Sequence, residues 1–168
     1  MKRLHFCLFL VSLLSLNACV EVEDGRVGLS KSFGKISDDK LEPSVYVSVP
    51  VIREVSVWNI KTQRRSLRLE IPSAENLIVR VEAAVLFRPD NVAQIRKTIG
   101  EGYIETVLDP TVTNVFREVI GKKRIEDVIQ QQESVTEEAE KRLREEFTPR
   151  GIVLEDLLVT GLGLPQKF

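Results

Sequence analysis

The chain has 168 residues, with 24 Lys and Arg against 25 Asp and Glu and 29% charged residues overall, which fits one ordinary domain with a well-solvated surface. That balance argues against nucleic acid as a partner, which asks for a basic face, and against an acidic tail. His5 is the single histidine and Cys7 and Cys19 the two cysteines; beyond residue 7 only Cys19 remains, which excludes zinc sites of His/Cys type, Ser-His-Asp triads and Cys-His dyads.

Lys2 and Arg3 precede an apolar run from Leu4 to Leu16, the order of charge and hydrophobicity found in an export signal. The run covers about 13 residues, short of the ~20 that a membrane-spanning helix needs. Leu16-Asn17-Ala18-Cys19 then resembles the lipobox of bacterial lipoproteins. The resemblance implies recognition of Leu16, Asn17 and Ala18 by a signal peptidase, diacylglyceryl attachment to Cys19, cleavage before it, and palmitate-type acylation of the new amino terminus. An ordinary signal peptide with an incidental cysteine is the alternative. Val20 stands where an aspartate tends to signal inner-membrane retention, which favours the periplasmic face of the outer membrane. Loss of residues 1–18 removes Lys2 and Arg3 from the 24 basic residues and leaves a net charge of about −3. The mature chain then holds one cysteine, acylated, and forms no intramolecular disulfide. Residues 19–25 read as the lipidated anchor with a short linker, which spans at most ~20 Å and keeps the domain close to the bilayer.

Strand patterning runs from Arg26 to Arg88. Val45, Val47 and Val49 alternate before Pro50, and Leu67, Leu69 and Ile71 alternate with Arg68 and Glu70. Leu77, Val79, Val81, Ala83, Val85 and Phe87 keep period two over the longest stretch, the mark of a strand with one face on a core. Val55 and Val57 are in phase whereas Trp58 and Ile60 are one residue out of step, which predicts a bulge or a bend. Turn residues separate the runs at Ser32-Phe33-Gly34-Lys35, at Glu42-Pro43-Ser44 and from Pro72 to Asn76, where Asn76 suits a positive φ.

After Arg88 the period becomes helical. Asp90 is a candidate cap for a short helix with Val92, Ile95 and Arg96, and Tyr103 opens another with Ile104, Val107 and Leu108. Asp109-Pro110 reads as an N-cap followed by proline at the first helical position. That helix carries Val112, Val115, Phe116, Val119 and Ile120 and stops at Gly121. Ser134-Val135-Thr136-Glu137 reads as a capping box before a stripe of Val135, Ala139, Leu143 and Phe147, ended by Pro149 and Gly151. Ile152 to Leu158 reverts to strand. Strands, then helices, then a returning strand make an α+β domain.

Several segments, in order, resemble the SPFH (Band 7, prohibitin-homology) domain of stomatins, prohibitins and flotillins. Val22-Glu23-Asp24-Gly25-Arg26-Val27-Gly28 and Phe33-Gly34-Lys35-Ile36 look like its opening strand and "FGK" turn. Leu41-Glu42-Pro43, Val49-Pro50-Val51-Ile52 and Val55-Ser56-Val57 through Gln63 follow its next strands. Arg117 to Lys122 resembles the end of its central helix, and Phe147 to Asp156 its closing helix-to-strand step. Ser44 and Glu75-Asn76 depart from the family's usual glycine and Asp-Gly. The resemblance implies a single SPFH domain over residues 26–164: a mixed, mostly antiparallel sheet packed against helices, a short C-terminal strand and no extended coiled coil. Residues 165–168 match the start of the family's coiled coil, and its truncation puts large assemblies in doubt.

Lys61, Arg64, Arg65 and Arg68 form a basic stretch that could meet lipid head-group phosphates or be a solvated strand face. Gly121-Lys122-Lys123 is not a P-loop and Gly161-Leu162-Gly163 is not a dinucleotide fingerprint. Glu137, Glu138 and Glu140 are spaced to pair with Lys141, Arg142 and Arg144 along a helix. No metal site, cofactor or catalytic set is marked out. The expectation is a non-catalytic scaffold or adaptor lipoprotein in the cell envelope. Its partners would be membrane lipid through the acylated amino terminus, membrane or envelope proteins such as proteases, and further copies of itself. A lipid carrier with a pocket between sheet and helices is the alternative.

Overall fold

The computed structural model describes residues 19–49 and 52–164. The leader with Leu16, Asn17 and Ala18, and residues 165–168, lie outside the described residues. The chain divides into two compact units between Ile60 and Lys61.

The first unit is built from β1 (Cys19–Val22), β2 (Arg26–Ser32), β3 (Lys35–Leu41), β4 (Ser44–Val47) and β5 (Arg53–Asn59). β2 is central and pairs antiparallel with β3 and β5, while β1 pairs antiparallel with β4. Residues 19–22, expected as linker, are thus a strand. Their backbone groups find partners on β4, and Val22 is 2% exposed. Gly28 makes room for it: a Cβ at that position would lie 3.1 Å from both Val22 Cγ2 and Leu41 Cβ.

The out-of-step apolar pattern on β5 has a different cause from the expected bulge. The β2–β5 register runs unbroken from Arg26↔Asn59 to Ser32↔Arg53. Val55 and Trp58 lie on opposite faces of β5 and are both buried. A strand covered on both faces has no reason to alternate. The irregularity lies instead between Leu29 and Lys31, in the pairing of β2 with β3.

The second unit contains β6 (Gln63–Pro72), β7 (Ile78–Pro89), α1 (Val92–Thr98), α2 (Asp109–Ile120), α3 (Ile125–Gln130), α4 (Gln132–Phe147) and β8 (Ile152–Gly163). Its sheet has the order β6-β7-β8, antiparallel throughout. Val79, Val81, Ala83, Val85 and Phe87 are buried on one face, as the alternation predicts, in register with Ile71, Leu69, Leu67, Arg65 and Gln63 of β6. α2 and α4 pack on each other and on the sheet, and Val112, Phe116, Val135, Ala139, Leu143 and Phe147 between them are inaccessible to solvent.

At the β6–β7 turn, Asn76 takes φ 59° as expected. The Ser73 hydroxyl, in a residue 4% exposed, accepts hydrogen bonds from the amides of Glu75 and Leu77 at 3.4 and 3.3 Å. Glu75 then reaches α3, accepting from Arg124 Nε at 3.0 Å and from the Ile125 amide at 3.5 Å.

Three helix starts differ from the sequence reading. The cap of α1 is Asn91, whose side chain accepts from the Gln94 amide at 3.1 Å, whereas Asp90 accepts from Arg88. Asp109 has helical angles and its side chain does not cap the start of α2. A five-residue π-turn, Ile104–Leu108, runs straight into α2, and the Asp109 amide donates to the Ile104 carbonyl. The wider turn brings the chain to Pro110 without a break and leaves the Asp109 carboxylate for another partner. α4 starts at Gln132 rather than after Ser134 and has no side-chain cap, because α3 ends just before it and Gln131 joins the two helices directly. The closing step is as expected: α4 ends at Phe147, a 3-10 turn covers Thr148–Arg150, and Gly151 turns left-handed at φ 80°. β8 extends beyond Leu158 to Gly163.

Candidate functional site

Cys19 is exposed and is the first residue of β1, opposite Val47 in the β1–β4 register. Glu21 lies opposite Val45 two residues on, so Cys19, Val47, Glu21 and Val45 share one face of the ribbon, since directly paired antiparallel residues point the same way. That face is open: Val45 is 62% and Val47 57% exposed. The alternation of Val45, Val47 and Val49 therefore reads correctly as strand but marks no core.

The basic stretch is divided by the pleat of β6. Arg64 and Arg68 lie on the exposed face, and Arg68 Nε sits 3.4 Å from Glu82 Oε1. Arg65 points to the helix side and grips the carboxylate that the π-turn frees, with Nε and Nη2 donating to Asp109 Oδ1 and Oδ2 at 3.0 and 2.6 Å. This bidentate pair ties β6 to the start of α2, and the Asp109 hydrogen bond and charge hold the Arg65 pKa above its ordinary value. Lys61 precedes the strand. The four cations thus do not form one patch. Period two decides it.

Near the π-turn, Tyr103 packs edge-on against Phe87 with ring centroids 6.3 Å apart. Burial pushes its hydroxyl pKa up, partly offset by a hydrogen bond with Gln63.

On the helical side, α2 and α4 flank a groove of about 590 Å³ lined by Asn114, Glu118, Lys141, Arg142, Glu145 and Glu146 among others. Arg142 spans it, contacting Glu118 and Glu138 at 2.9 Å each, while Lys123 approaches Glu138 at 3.3 Å. Glu138–Arg142 and Glu140–Arg144 realise two of the expected helix-surface pairs. Arg144 goes further and donates to the backbone carbonyls of Leu154 and Glu155, tying α4 to β8. Such a lining suits water and polar partners and offers no apolar bed for acyl chains.

Glu138 makes this cluster sensitive to acid. Burial raises its pKa, but the hydrogen bond and charge of Lys123, followed by those of Arg142, outweigh that and hold it below the ordinary value. A carboxyl whose pKa is lower in the folded chain contributes stability that is complete above the unfolded value, about 4.3, and is lost as pH falls through the folded value. Glu138→Gln is therefore expected to flatten the acid limb of the stability profile. Urea midpoints at about pH 5 and pH 3 check this, and parallel declines in variant and parent would show no such linkage.

Among the described residues no group of three or more His, Cys, Asp or Glu side chains is placed to hold a metal ion, and no helix is long and apolar enough to cross a membrane.

The sequence matches the family model of the SPFH domain / Band 7 family over residues 20–168. The chain belongs to that family. It is similar to Prohibitin-2 of Dictyostelium discoideum, 25% identical over 161 residues that cover 94% of this chain and 55% of that protein. It is likewise similar to mitochondrial prohibitin complex protein 1 of Caenorhabditis elegans, 25% identical over 159 residues, 92% of this chain and 58% of the relative. Prohibitin 1 of Gallus gallus is 23% identical over 155 residues, 90% and 57% respectively. The chain thus spans somewhat more than half the length of these relatives. SPFH domains typically act as non-catalytic scaffolds.

Sequence reasoning did not anticipate one surface of this SPFH fold. Phe33, at the tip of the β2–β3 hairpin, is 80% exposed, and Ile52 beside it is 53% exposed. A phenylalanine in a two-residue turn, where no packing partner is at hand, was the available signal.

Proposed function

We propose that this SPFH protein is a membrane-anchored scaffold or adaptor, held by acyl groups on Cys19 at the periplasmic face of a membrane, with the outer membrane favoured. The observation that carries the reading is the position of Cys19, exposed and already within a paired strand. An anchor attached there has no slack: the lipid emerges from the β1–β4 ribbon itself, so the domain sits at the bilayer surface. Each buried CH₂ contributes about 0.8 kcal/mol, and stable attachment takes more than one acyl chain, which a lipoprotein-type modification supplies. The work of such a protein is to bring partners together. We assign it membrane or envelope proteins, proteases among them, and further copies of itself, in keeping with the prohibitin relatives, one of which is named for a complex.

Fatty-acid labelling and fractionation of the parent and of Cys19→Ser test the anchor. The parent should carry label and pellet with membranes, and the variant should remain an unlabelled precursor or a soluble species. Equal fractionation with no label in either would end the lipoprotein reading. In-cell crosslinking of the tagged protein tests the scaffold, which requires enrichment of particular neighbours over bulk envelope proteins.

A further inference from the structure

We propose that the free edge of β6 is a docking edge for a second copy of this chain. Two β6 strands pair antiparallel about a two-fold axis at Leu67, joining two three-stranded sheets into one of six strands. The inference rests on the part of the reading above that makes further copies a partner, and it names the surface on which two copies meet.

The two edges of the β6-β7-β8 sheet differ. β8 is irregular, with register shifts between Glu82 and Ala83 and between Leu86 and Phe87 in its pairing with β7. Arg144 takes its Leu154 and Glu155 carbonyls, and Gln132 Nε2 donates to its Leu162 carbonyl at 3.4 Å. Bulges and cover from a helix close a sheet edge to further strands. β6 has no bulge: its ten residues keep one register with β7 from Gln63↔Phe87 to Pro72↔Ile78.

Residues that exchange hydrogen bonds alternate along an antiparallel pair. The Ser73 amide donates to the Leu77 carbonyl at 2.9 Å, so by the unbroken register the odd-numbered residues of β6 bond to β7. Arg64, Ser66, Arg68 and Glu70 therefore aim their amides and carbonyls away from the sheet. Among the described residues no strand pairs with that side. Pro72 holds the next outward position, where a missing N–H costs the single chain nothing and ends any added pairing. On the helix side, Leu67 and Leu69 are only half-buried although α2 packs on β6. A further strand would complete their cover.

The side chains choose that strand. On the exposed face Arg68 pairs with Glu82 and Arg80 with Glu70, whereas Arg64 has no ion-pair partner among the described residues. With Leu67 opposite Leu67 of the copy, each Arg64 faces a Glu70 and each Ser66 faces an Arg68. Sliding the copy two residues one way sets Arg64 against Arg68. Sliding it the other way sets Arg68 against Arg68 and Arg64 against Pro72, which has no amide to give. Opposite charges directly across an antiparallel pair stabilise it and like charges weaken it, so one register suits every outward residue from 64 to 70. This strand is its own complement. A two-fold contact of this kind closes on itself and stops at two copies.

The test uses residues 19–168 with Cys19→Ser, which carries no acyl chain and no cysteine. Every described strand pairing and core residue lies within 19–164 and the family match begins at residue 20, so this chain contains the fold. Sedimentation should show a reversible dimer as concentration rises. Arg64→Glu and Glu70→Arg should each weaken it about tenfold, because each sets two like-charge pairs face to face. An equimolar mixture of the two variants should recover most of the parent's affinity, since the mixed dimer restores both opposite pairs. Ser66→Pro, which removes an outward amide, should leave a monomer with the parent's helical circular dichroism. Leu67→Cys should close an intermolecular disulfide in air, because facing residues that exchange no hydrogen bonds lie about 4.5 Å apart at Cα. Leu69→Cys, opposite Arg65 of the copy, should not. A chain monomeric at all concentrations, a dimer indifferent to Arg64→Glu, variants that fail to rescue one another, or crosslinking through Leu69→Cys in place of Leu67→Cys would each overturn the pairing. So would crosslinking of position 67 to a different protein in cells by a chain that stays monomeric in solution, which would give the edge to a foreign strand. Fatty-acid labelling of Cys19 and enrichment of envelope neighbours are read separately, so loss of the dimer leaves the anchor and the adaptor role standing.

Discussion

Phe147→Ala should destabilise the second unit by about 3–5 kcal/mol, the range for removing a fully enclosed phenylalanine. Phe147 is inaccessible to solvent and closes a stripe with Val135, Ala139 and Leu143, each equally enclosed. It lies at the last turn of α4, where the chain must pivot through the 3-10 turn into β8. Few atoms there can collapse into the space, because α4 is held in place by Arg144 on the Leu154 and Glu155 carbonyls. The cavity term should therefore remain on top of the lost transfer energy. Helical circular dichroism reports the change directly, since every described α-helix falls between Val92 and Phe147. A fall in melting temperature on the order of 10 °C is expected for a chain of this size, with Phe147→Leu affected much less. A cost below about 1 kcal/mol for the alanine variant would show that the stripe is not a closed core.

Gly151→Val should be comparably damaging for a different reason. Gly151 has φ 80°, and a Cβ there would meet Asn91 Cβ and the Asn91 carbonyl oxygen at 3.1 Å. The Gly151 carbonyl meanwhile accepts from the amides of both Asp90 and Asn91 at 2.9 and 3.1 Å, so the residue cannot shift away without breaking the start of α1. Left-handed backbone in a β-branched residue costs about 1–3 kcal/mol, and overpacking adds about 1–3 kcal/mol. Gly151→Ala carries a smaller share of both terms. The ordering valine worse than alanine worse than glycine, read from denaturation midpoints, tests the assignment. Equal stability of all three would mean that the close approach to Asn91 relaxes freely.

Much of the second unit was legible because its elements bury one face each. Val79 to Phe87 on β7 and Val135 to Phe147 on α4 write periods of two and four into the sequence, and both faces proved buried. Where burial is two-sided or absent, the same rule misleads. β5 holds Val55 and Trp58 under opposite covers, which looked like a bulge, and Val45 and Val47 alternate on a strand with no core beneath them. Caps were misplaced by one to three residues for a related reason. Asp109 resembles an N-cap in every local respect, but a π-turn carries the helix through it and Arg65, 44 positions earlier, takes its carboxylate.

The order of residues along the chain was enough to establish the α+β succession, the period of each principal element, the glycine and asparagine turns and the likeness to the SPFH family. The succession, the periods and the turns follow from local sterics and from which side chains avoid water, and neighbours in sequence record both, whereas the likeness to the SPFH family rests on matching motifs. Three features needed the folded chain: residues 19–22 form a strand, Lys61, Arg64, Arg65 and Arg68 part to different surroundings, and Phe33 joins Ile52 on an open apolar edge. Each of these depends on what lies across from a residue rather than beside it. Strand pairing sets that, through backbone hydrogen bonds that carry no side-chain signature.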